Sequence, residues 1–281
     1  MTTAGVSAPP TAIALTIAGS DSSGGAGIQA DLKTFSAFGV YGASVITALT
    51  AQNTLGVQGI ETVPAAFVAE QLRSVLTDLD VGAIKTGMLA NAGIVEVVAA
   101  ELRSVSACPL VVDPVMVATS GDVLLAPEAV EAIKTRLLPL ATLVTPNLPE
   151  AAVLLGCRQA CNEDEMASQG KALLGVAGCH AVLIKGGHDG GDDAIDILVS
   201  TAGVERFVRP RIATPHSHGT GCTLSAAITA LLSQGAALPE AVDRAKTYVW
   251  EGLRYGSGLG IGKGRGPVDH LFAIRGKPPP A

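Results

Sequence analysis

Short apolar runs alternate with stretches of helical periodicity along most of this chain, and no other feature constrains its fold as strongly. A short apolar run between turn residues is typical of a buried strand, whereas apolar residues three and four apart indicate a helix. The runs predict strands at residues 13–19, 43–49, 81–85, 109–113, 142–145 and 181–185. The periodic stretches predict helices at residues 28–38, 64–79, 93–102, 127–137, 221–234 and 239–255. Alternating elements with strands apolar throughout favour an α/β fold, with a mostly parallel sheet covered on both faces.

Residues 191–210 depart from this alternation. They contain two β-like runs separated by Thr201, Ala202 and Gly203, which predicts a hairpin at the edge of the sheet. No linker or internal repeat divides the middle of the chain, so we expect a single domain over residues 12–275. The remaining ends, residues 1–11 and 276–281, are expected to be flexible tails.

The charge balance argues against a bulk polyanion as the main partner. The chain has 19 Lys and Arg against 25 Asp and Glu, a formal net charge of −6, and only 3% aromatic residues. Nucleic-acid binding needs clustered cations to neutralise phosphates, and often aromatic rings to stack on bases. We therefore expect small-molecule partners and no nucleic acid.

The cysteines and the hydropathy pattern predict a cytoplasmic protein. The five cysteines form no C-x-x-C pair, and an odd number in a chain of this length is typical of reduced thiols in a cytosol. The first basic residue is Lys33, so no positively charged region opens a signal peptide. No apolar run approaches the ~18 residues that span a bilayer, so we expect no membrane partner.

Polar and glycine-rich clusters follow the predicted strands. The carboxyl ends of parallel strands share one edge of a sheet, and ligands of such folds bind at that edge. The clusters are therefore expected to form one composite site. They occupy residues 19–27, 52–54, 85–89, 113–121, 146–150, 185–189 and 214–223.

Residues 25–30 fit the pattern G-x-G-x-x-A, which can mark a dinucleotide site between a strand and a helix. Such a site needs an acidic residue about 20 positions further on to hold the ribose. Residues 32–60 contain no Asp or Glu, which disfavours this interpretation. The glycines also suit a tight strand-to-helix turn. Neither Gly170-Lys171 nor Gly262-Lys263 completes a Walker A sequence, so a P-loop kinase is excluded.

The strongest motif is residues 218–223, which open a predicted helix. Gly219 and Gly221 flank Thr220, and backbone N–H groups there can turn towards an anion that the helix dipole also favours. The motif predicts an anion hole without a lysine. Cys222 lies at the helix N-terminus, where we expect the pKa of its thiol to be lowered. A free cysteine is otherwise usually a small buried apolar residue, and we prefer that role for the other four.

Charged residues at the same edge suit a cation and a phosphate. Asn147 and Glu150 have the spacing of a capping box, which does not exclude a role in Mg²⁺ binding. Asp113 is either a turn residue or a charge near a metal ion, and we favour the latter. Lys185 ends a strand beside two glycines and is either solvated or in contact with a phosphate.

Gln52 and Met88 each have an alternative structural role. Gln52 follows an apolar strand and could cap it, and Met88 at a strand end could fill a gap in the core. The histidines in the polar loops, His188, His216 and His218, lack the spacing of a zinc site, so they are not expected to bind metal.

Seven segments of the chain, taken together, carry a resemblance to one family. They are residues 15–34, 45–54, 85–89, 112–116, 145–151, 185–188 and 218–223. In this order they resemble the bifunctional hydroxymethylpyrimidine/phosphomethylpyrimidine kinases of thiamine biosynthesis, members of the ribokinase-like superfamily. The resemblance implies a three-layer α/β/α ribokinase-like fold. It also implies ATP-dependent phosphorylation of 4-amino-5-hydroxymethyl-2-methylpyrimidine and then of its monophosphate.

The same resemblance implies roles for individual residues. Gln52 would hydrogen-bond the aminopyrimidine, and the same pocket would be lined by Gly19, Asp31, Met88 and Val115. Asn147 and Glu150 match an N-x-x-E motif that organises Mg²⁺ and its water shell.

Around the transferred phosphate, the resemblance implies an anion hole formed by Gly219, Gly221 and Cys222. Cys222 would be the base, at the position where many sugar kinases carry an aspartate. Contacts to ATP are expected from Lys185, Thr220 and Asn147, with Asp113 near the Mg²⁺. A homodimer is also expected.

The chain departs from the family pattern in two places. Residues 215–218 are Pro-His-Ser-His where relatives often have Lys-Asn-Thr-His, a change on the nucleotide side, and Thr86 replaces an isoleucine. Two alternatives remain: a pyridoxal or pyridoxine kinase of the same superfamily, and a nucleotide-binding protein without kinase chemistry. Gln52 and Met88 favour the aminopyrimidine over pyridoxal, and the missing ribose-binding acid disfavours the second alternative.

Overall fold

A computed structural model of the chain describes residues 11–105, 107–116, 125–187 and 191–275. Its strands are β1 (Ile13–Asp21), β2 (Tyr41–Asn53), β3 (Gly56–Thr62), β4 (Ala83–Thr86), β5 (Leu110–Val112), β6 (Leu143–Val144), β7 (Ala181–Lys185), β8 (Asp193–Ser200) and β9 (Gly203–Pro210). Its helices are α1 (Gly27–Ala37), α2 (Ala65–Leu76), α3 (Ala92–Leu102), α4 (Pro127–Ala132), α5 (Leu148–Leu155), α6 (Glu163–Ala177), α7 (Thr220–Ser233), α8 (Leu238–Gly256) and α9 (Phe272–Arg275). Short 3₁₀ turns cover Arg103–Val105 and Leu138–Leu140.

The strands form one sheet in the order β3-β2-β1-β4-β5-β6-β7-β8-β9. Neighbouring strands from β2 through β7 run parallel, whereas β8 and β9 form an antiparallel hairpin at one edge. The mostly parallel sheet and the edge hairpin predicted from the sequence are therefore confirmed.

The other edge differs from the sequence prediction. Strand β3 pairs antiparallel with β2, which begins two residues before the predicted strand and runs on to Asn53. Gln52 thus lies inside β2 and does not follow it. The sequence of β3 gives little signal because its residues are mostly exposed and show no apolar alternation.

Helices cover both faces of the sheet. Successive residues of a strand point to opposite faces, and in β5 Val111 packs in the cluster with α7 and α8, while Val112 packs with α2, α3 and α5. A third cluster joins α1 to α7 through Phe35 and Ala226. The resulting three-layer α/β/α arrangement is the predicted one.

One predicted helix is divided. Instead of a continuous helix over residues 127–137, α4 ends at Ala132 and the chain continues as a π-helical turn, Ile133–Leu137. No helix among the described residues is long and apolar enough to cross a membrane. The domain limits at 12 and 275 stay a prediction. Apart from Thr11, the predicted tails lie outside the described residues, as do residues 117–121 and 188–189 of the polar clusters.

Candidate active site

The carboxyl ends of the parallel strands open into a cavity of about 880 Å³. The polar clusters predicted at this edge converge on it, together with the start of α7. The predicted site residues in its lining are Gly19, Gln52, Met88, Asp113, Val115, Asn147, Glu150, Lys185, Gly219, Thr220, Gly221 and Cys222. Asp31 is the one predicted site residue that is not part of the lining.

The first turn of α7 points its N-terminus into this cavity. Gly219 is the N-cap residue and has φ +80°, in the left-handed region that favours glycine. A Cβ atom at Gly219 would overlap the carbonyl oxygen of Gly25, so the turn before α1 and the start of α7 are in close contact. The N–H groups of a first helical turn have no carbonyl partner within the helix. Such N–H groups suit an anion, and the anion hole at this turn stays a prediction.

Cys222 lies in this turn, but its thiol does not have the lowered pKa that we predicted. Burial raises the pKa to about 11, because the thiolate would lose solvation. The ammonium of Lys85 lowers the pKa, whereas Asp31 and Asp113 raise it further. These influences together leave the pKa well above neutrality, so the resting side chain is a neutral thiol at neutral pH.

Asp113, Glu150 and Lys185 form a buried charged cluster in the cavity wall. Lys185 Nζ lies 2.9 Å from Asp113 Oδ1 and 4.0 Å from Glu150 Oε2. Burial alone would lower the pKa of Lys185, but Asp113 and Glu150 raise it, so the ammonium stays charged. A freely solvated Lys185 is therefore excluded, since only 14% of its side chain is exposed.

The predicted capping box at the start of α5 is confirmed. Asn147 Oδ1 accepts from the Glu150 N–H at 2.8 Å, and Glu150 Oε2 accepts from the Asn147 N–H at 2.8 Å. Burial raises the pKa of Glu150 to about 7; Lys185 opposes this shift and Asp113 adds to it. A buried carboxyl group of this kind is stabilised as a carboxylate by a nearby cation.

Asp113 and Glu150 therefore fit Mg²⁺ as oxygen ligands. Within the described ranges, no group of three or more His, Cys, Asp and Glu is placed to hold a metal ion. Mg²⁺ commonly takes one or two carboxylates and fills its remaining positions with water and substrate phosphate. Two carboxylates beside an anion site match that requirement.

Comparison with known proteins identifies the family. The family described as phosphomethylpyrimidine kinase matches residues 21–269. A hydroxymethylpyrimidine/phosphomethylpyrimidine kinase of Rhizobium meliloti is 55% identical over 261 residues, which are 93% of this chain and 97% of that protein. The chain belongs to the phosphomethylpyrimidine kinase family. The resemblance found in the seven sequence segments is confirmed.

Solved structures place this kinase in the expected fold. A phosphomethylpyrimidine kinase of Clostridium difficile is 45% identical, with a TM-score of 0.76 over 85% of this chain and 98% of that one. A Bacillus subtilis pyridoxal kinase, solved as an ADP complex, is 37% identical, with a TM-score of 0.87 over 95% of this chain and 100% of that one. The ribokinase-like fold is thus shared with pyridoxal kinases.

One part of the cavity wall lies at the carboxyl ends of β1, β4 and β2. It contains Gly19, Met88 and Gln52, respectively. A Cβ atom at Gly19 would lie 2.5 Å from Met88 Cε, so the glycine leaves room for the methionine. Met88 is largely buried and also lines the cavity, which means that it packs in the core and faces the site at once. A 3.2 Å contact joins the hydroxyl of Thr50 to the side-chain amide of Gln52.

Asp31 does not line the pocket as we predicted. Its side chain is fully buried in α1, where Oδ1 accepts from Lys85 Nζ at 2.6 Å and Oδ2 accepts from Thr16 Oγ1 at 2.6 Å. Burial alone would lower the pKa of Lys85, but Asp31 raises it, so the pair is ionic. Asp31 has no exposed surface, and its carboxylate neutralises a buried lysine instead of lining the pocket.

Asp21 and His218 form a contact that the sequence did not predict. His218 Nε2 lies 2.8 Å from Asp21 Oδ2, and both side chains are buried. Burial alone would raise the pKa of Asp21, but hydrogen bonds from His218 and Ser23 lower it to about 2. The pair joins the last residue of β1 to the residue just before the proposed anion hole. The only signal for this contact in the sequence is that both residues belong to the polar clusters, at residues 19–27 and 214–223.

Proposed function

We propose that this kinase transfers the γ-phosphoryl group of ATP to 4-amino-5-hydroxymethyl-2-methylpyrimidine, and then to its monophosphate, in thiamine biosynthesis. The observation that carries this proposal is a single cavity whose lining suits phosphates on one side and a polar ring on the other. The start of α7 and the Asp113–Glu150–Lys185 cluster suit phosphates and their counterion. Gln52, Met88 and Gly19 suit a small planar polar ring.

Phosphoryl transfer asks a protein mainly to align the reactants and to stabilise negative charge. In the proposed reaction, the N–H groups at the start of α7 bind the transferring phosphoryl group. Lys185 contacts the ATP phosphates, together with Thr220 and Asn147. Mg²⁺, when bound, would neutralise phosphate charge, with Asp113 and Glu150 as its protein ligands. The buried Lys85 adds positive charge near Cys222.

An ATP-consumption assay with three acceptors tests the proposal. We expect turnover with hydroxymethylpyrimidine and with its monophosphate, and much slower turnover with pyridoxal. The similarity to a pyridoxal kinase structure makes pyridoxal the informative third acceptor. Preference for pyridoxal over both pyrimidines would contradict the proposal.

Glu150→Gln should lower the rate and raise the Mg²⁺ concentration needed for half-maximal activity. The amide keeps the shape of the side chain and an oxygen for the capping box but removes the negative charge that attracts the cation. The measurement is the rate as a function of Mg²⁺ concentration, with thermal unfolding as the check on the fold. An unchanged Mg²⁺ dependence would leave Glu150 as a capping residue only.

Gln52→Ala should raise the KM for the pyrimidine about tenfold and leave the KM for ATP nearly unchanged. Loss of a hydrogen-bonding partner for a buried polar group costs roughly 1–3 kcal/mol, and about 1.4 kcal/mol is tenfold in an equilibrium constant. Steady-state kinetics with each substrate varied separately measures the effect. An unchanged pyrimidine KM would remove Gln52 from the ring-binding site.

We also propose that the kinase is a cytoplasmic homodimer. The β2–β3 ribbon at the sheet edge exposes Leu49, Leu55 and Ile60, and exposed apolar side chains on one edge favour association. Cys157 and Cys161 are exposed free thiols, which suit a reducing compartment. Sedimentation of Ile60→Lys should give the mass of a monomer, whereas Val176→Lys, at an exposed site on α6, should leave the dimer intact.

A further inference from the structure

His218 is placed between the proposed ring-binding residue and the anion hole. Its Nε2 lies 2.8 Å from Asp21 Oδ2 and 3.4 Å from the terminal amide nitrogen of Gln52. Its side chain is buried, and the next residue is Gly219. His218 and Gln52 both line the main cavity and also a second, smaller cavity of about 210 Å³. The two side chains therefore stand together in the wall between these spaces.

The contact with Asp21 fixes the proton on His218 Nε2. Asp21 is ionised at neutral pH, and its Oδ2 also accepts from the N–H groups of Gly25 and Ala26 at 3.1 and 2.8 Å. A carboxylate only accepts hydrogen bonds, so Nε2 must carry a hydrogen and donate it. This holds for the neutral Nε2–H tautomer and for the imidazolium alike.

The amide of Gln52 must then point its oxygen towards His218. With the amide nitrogen in that position, two donors face each other. Thr50 Oγ1, with a single hydrogen, would have to donate both to the Ser20 carbonyl oxygen at 2.8 Å and to Gln52 Oε1 at 3.2 Å. Half a turn of the amide removes both conflicts. Its oxygen then lies beside the Nε2–H group of His218, whose hydrogen is donated to Asp21 and attracts the amide oxygen electrostatically. The amide nitrogen donates to Thr50 Oγ1, whose own hydrogen goes to the Ser20 carbonyl oxygen.

We propose that His218 is a positioning residue that fixes the orientation of the Gln52 amide and thereby selects the ring. The acceptor of the amide lies on the His218 side and the donor on the Thr50 side. A ring with an exocyclic amino group next to an unprotonated ring nitrogen fits this arrangement, because the amino group donates to the amide oxygen and the ring nitrogen accepts from the amide nitrogen. Its 4-oxo analogue, with a carbonyl next to a ring N–H, presents the opposite order and is rejected. This inference rests on the proposed function, in which Gln52 binds the pyrimidine.

The experiment compares the 4-amino substrate with its 4-oxo analogue in the wild type, His218→Leu and His218→Gln. Calorimetry gives the two dissociation constants without ATP, and steady-state kinetics gives kcat/KM with ATP. The amino-to-oxo ratio is the affinity, or the kcat/KM, for the amino compound divided by that for the oxo compound. We expect this ratio to fall by roughly tenfold or more in His218→Leu, because the Gln52 amide can then turn to suit either ring. In His218→Gln the ratio should be largely kept, since the new amide nitrogen can donate to both Asp21 and Gln52.

A matched control is His270→Leu. His270 is also a buried histidine, and its Nε2 lies 2.9 Å from Thr223 Oγ1. Its loss should lower thermal stability and leave the amino-to-oxo ratio unchanged. If His218→Leu does not fold, Thr50→Val removes the other partner of the Gln52 amide and should lower the ratio in the same way.

An NMR measurement tests the geometry without any substrate. Nitrogen-15 spectra of the wild type should show a hydrogen on His218 Nε2, and an Nδ1–H tautomer would overturn the assignment. An equal amino-to-oxo ratio in the wild type and in folded His218→Leu would also overturn it, while leaving the proposed kinase activity in place. Failure of the wild type to bind or phosphorylate the aminopyrimidine would instead overturn the proposed function, and the selection with it.

Discussion

Gly219→Ala is expected to lower kcat for both phosphorylation steps by at least 10²-fold and to destabilise the fold. The residue has φ +80°, and a side chain in this left-handed region costs about 1–2 kcal/mol. The new Cβ would also overlap the carbonyl oxygen of Gly25, and such overpacking typically costs about 1–3 kcal/mol. The start of α7 must shift to relieve the overlap, and removal of a positioned donor from an anion hole commonly costs about 10²–10³ in kcat.

Gly235→Ala is the matched control for this substitution. Gly235 follows the other end of α7 with φ +85°, and a Cβ there would meet no atom within 4 Å. It should therefore show the cost of the backbone conformation alone, as a small decrease in thermal stability with unchanged kcat. If Gly219→Ala retains full activity, the close contact between Gly219 and Gly25 does not position the anion hole.

The sheet could be predicted from the sequence because its inner strands are apolar on both faces. In β5, Val111 and Val112 enter different halves of the core, so both positions must be apolar. Strand β3 could not be predicted in this way. It forms by pairing with β2 at an edge, where exposed residues such as Gln58 and Glu61 leave no periodic pattern.

The site was predictable in its location but not in its internal contacts. The order of strands brings every polar cluster to one edge, whichever residues are in it. The sequence does not tell whether a side chain at that edge faces the cavity or the core, and Asp31 turns inward to pair with Lys85, 54 residues away. Asp21 and His218 are 197 positions apart, so only the folded chain shows their contact.

The pKa of the Cys222 thiol also could not be predicted from the sequence. A helix N-terminus lowers the pKa of a cysteine that water can still reach. At Cys222, burial is the largest influence on the pKa and raises it to about 11. Burial is a property of the packed molecule, so the sequence motif alone gave the wrong direction.

Cys222→Ala should lower kcat for hydroxymethylpyrimidine by about two to four orders of magnitude if Cys222 is the base of the first phosphorylation, the usual range for general-base catalysis. The effect on the monophosphate should be smaller. Its nucleophile is a phosphate oxygen that is already ionised near neutral pH, because the second pKa of a phosphate monoester is about 6. Cys179→Ala is the control, since burial also raises the pKa of that thiol to about 11.

Because the pKa of Cys222 is raised, the base role also predicts the direction in which the rate changes with pH. A group with a pKa of about 11 is protonated below that value, so the thiolate fraction rises about tenfold for each pH unit between 7 and 10. If the thiolate accepts the proton of the substrate hydroxyl, the rate of the first step in the wild type should rise with pH over this range. Above pH 8, where Glu150 has also lost its proton, the second step should stay flat, and so should the first step of Cys222→Ala.

The ratio of the two rate losses then decides the role of Cys222. A larger loss for the alcohol than for the monophosphate, together with a rising pH profile that the substitution removes, assigns the base. Equal losses in a folded Cys222→Ala protein would contradict the base role. Because the N–H groups at the start of α7 belong to the backbone, they remain after the substitution, and ATP binding should persist in either case. Equal losses would therefore leave Cys222 as a residue that shapes the anion hole, with the alcohol losing its proton to another acceptor.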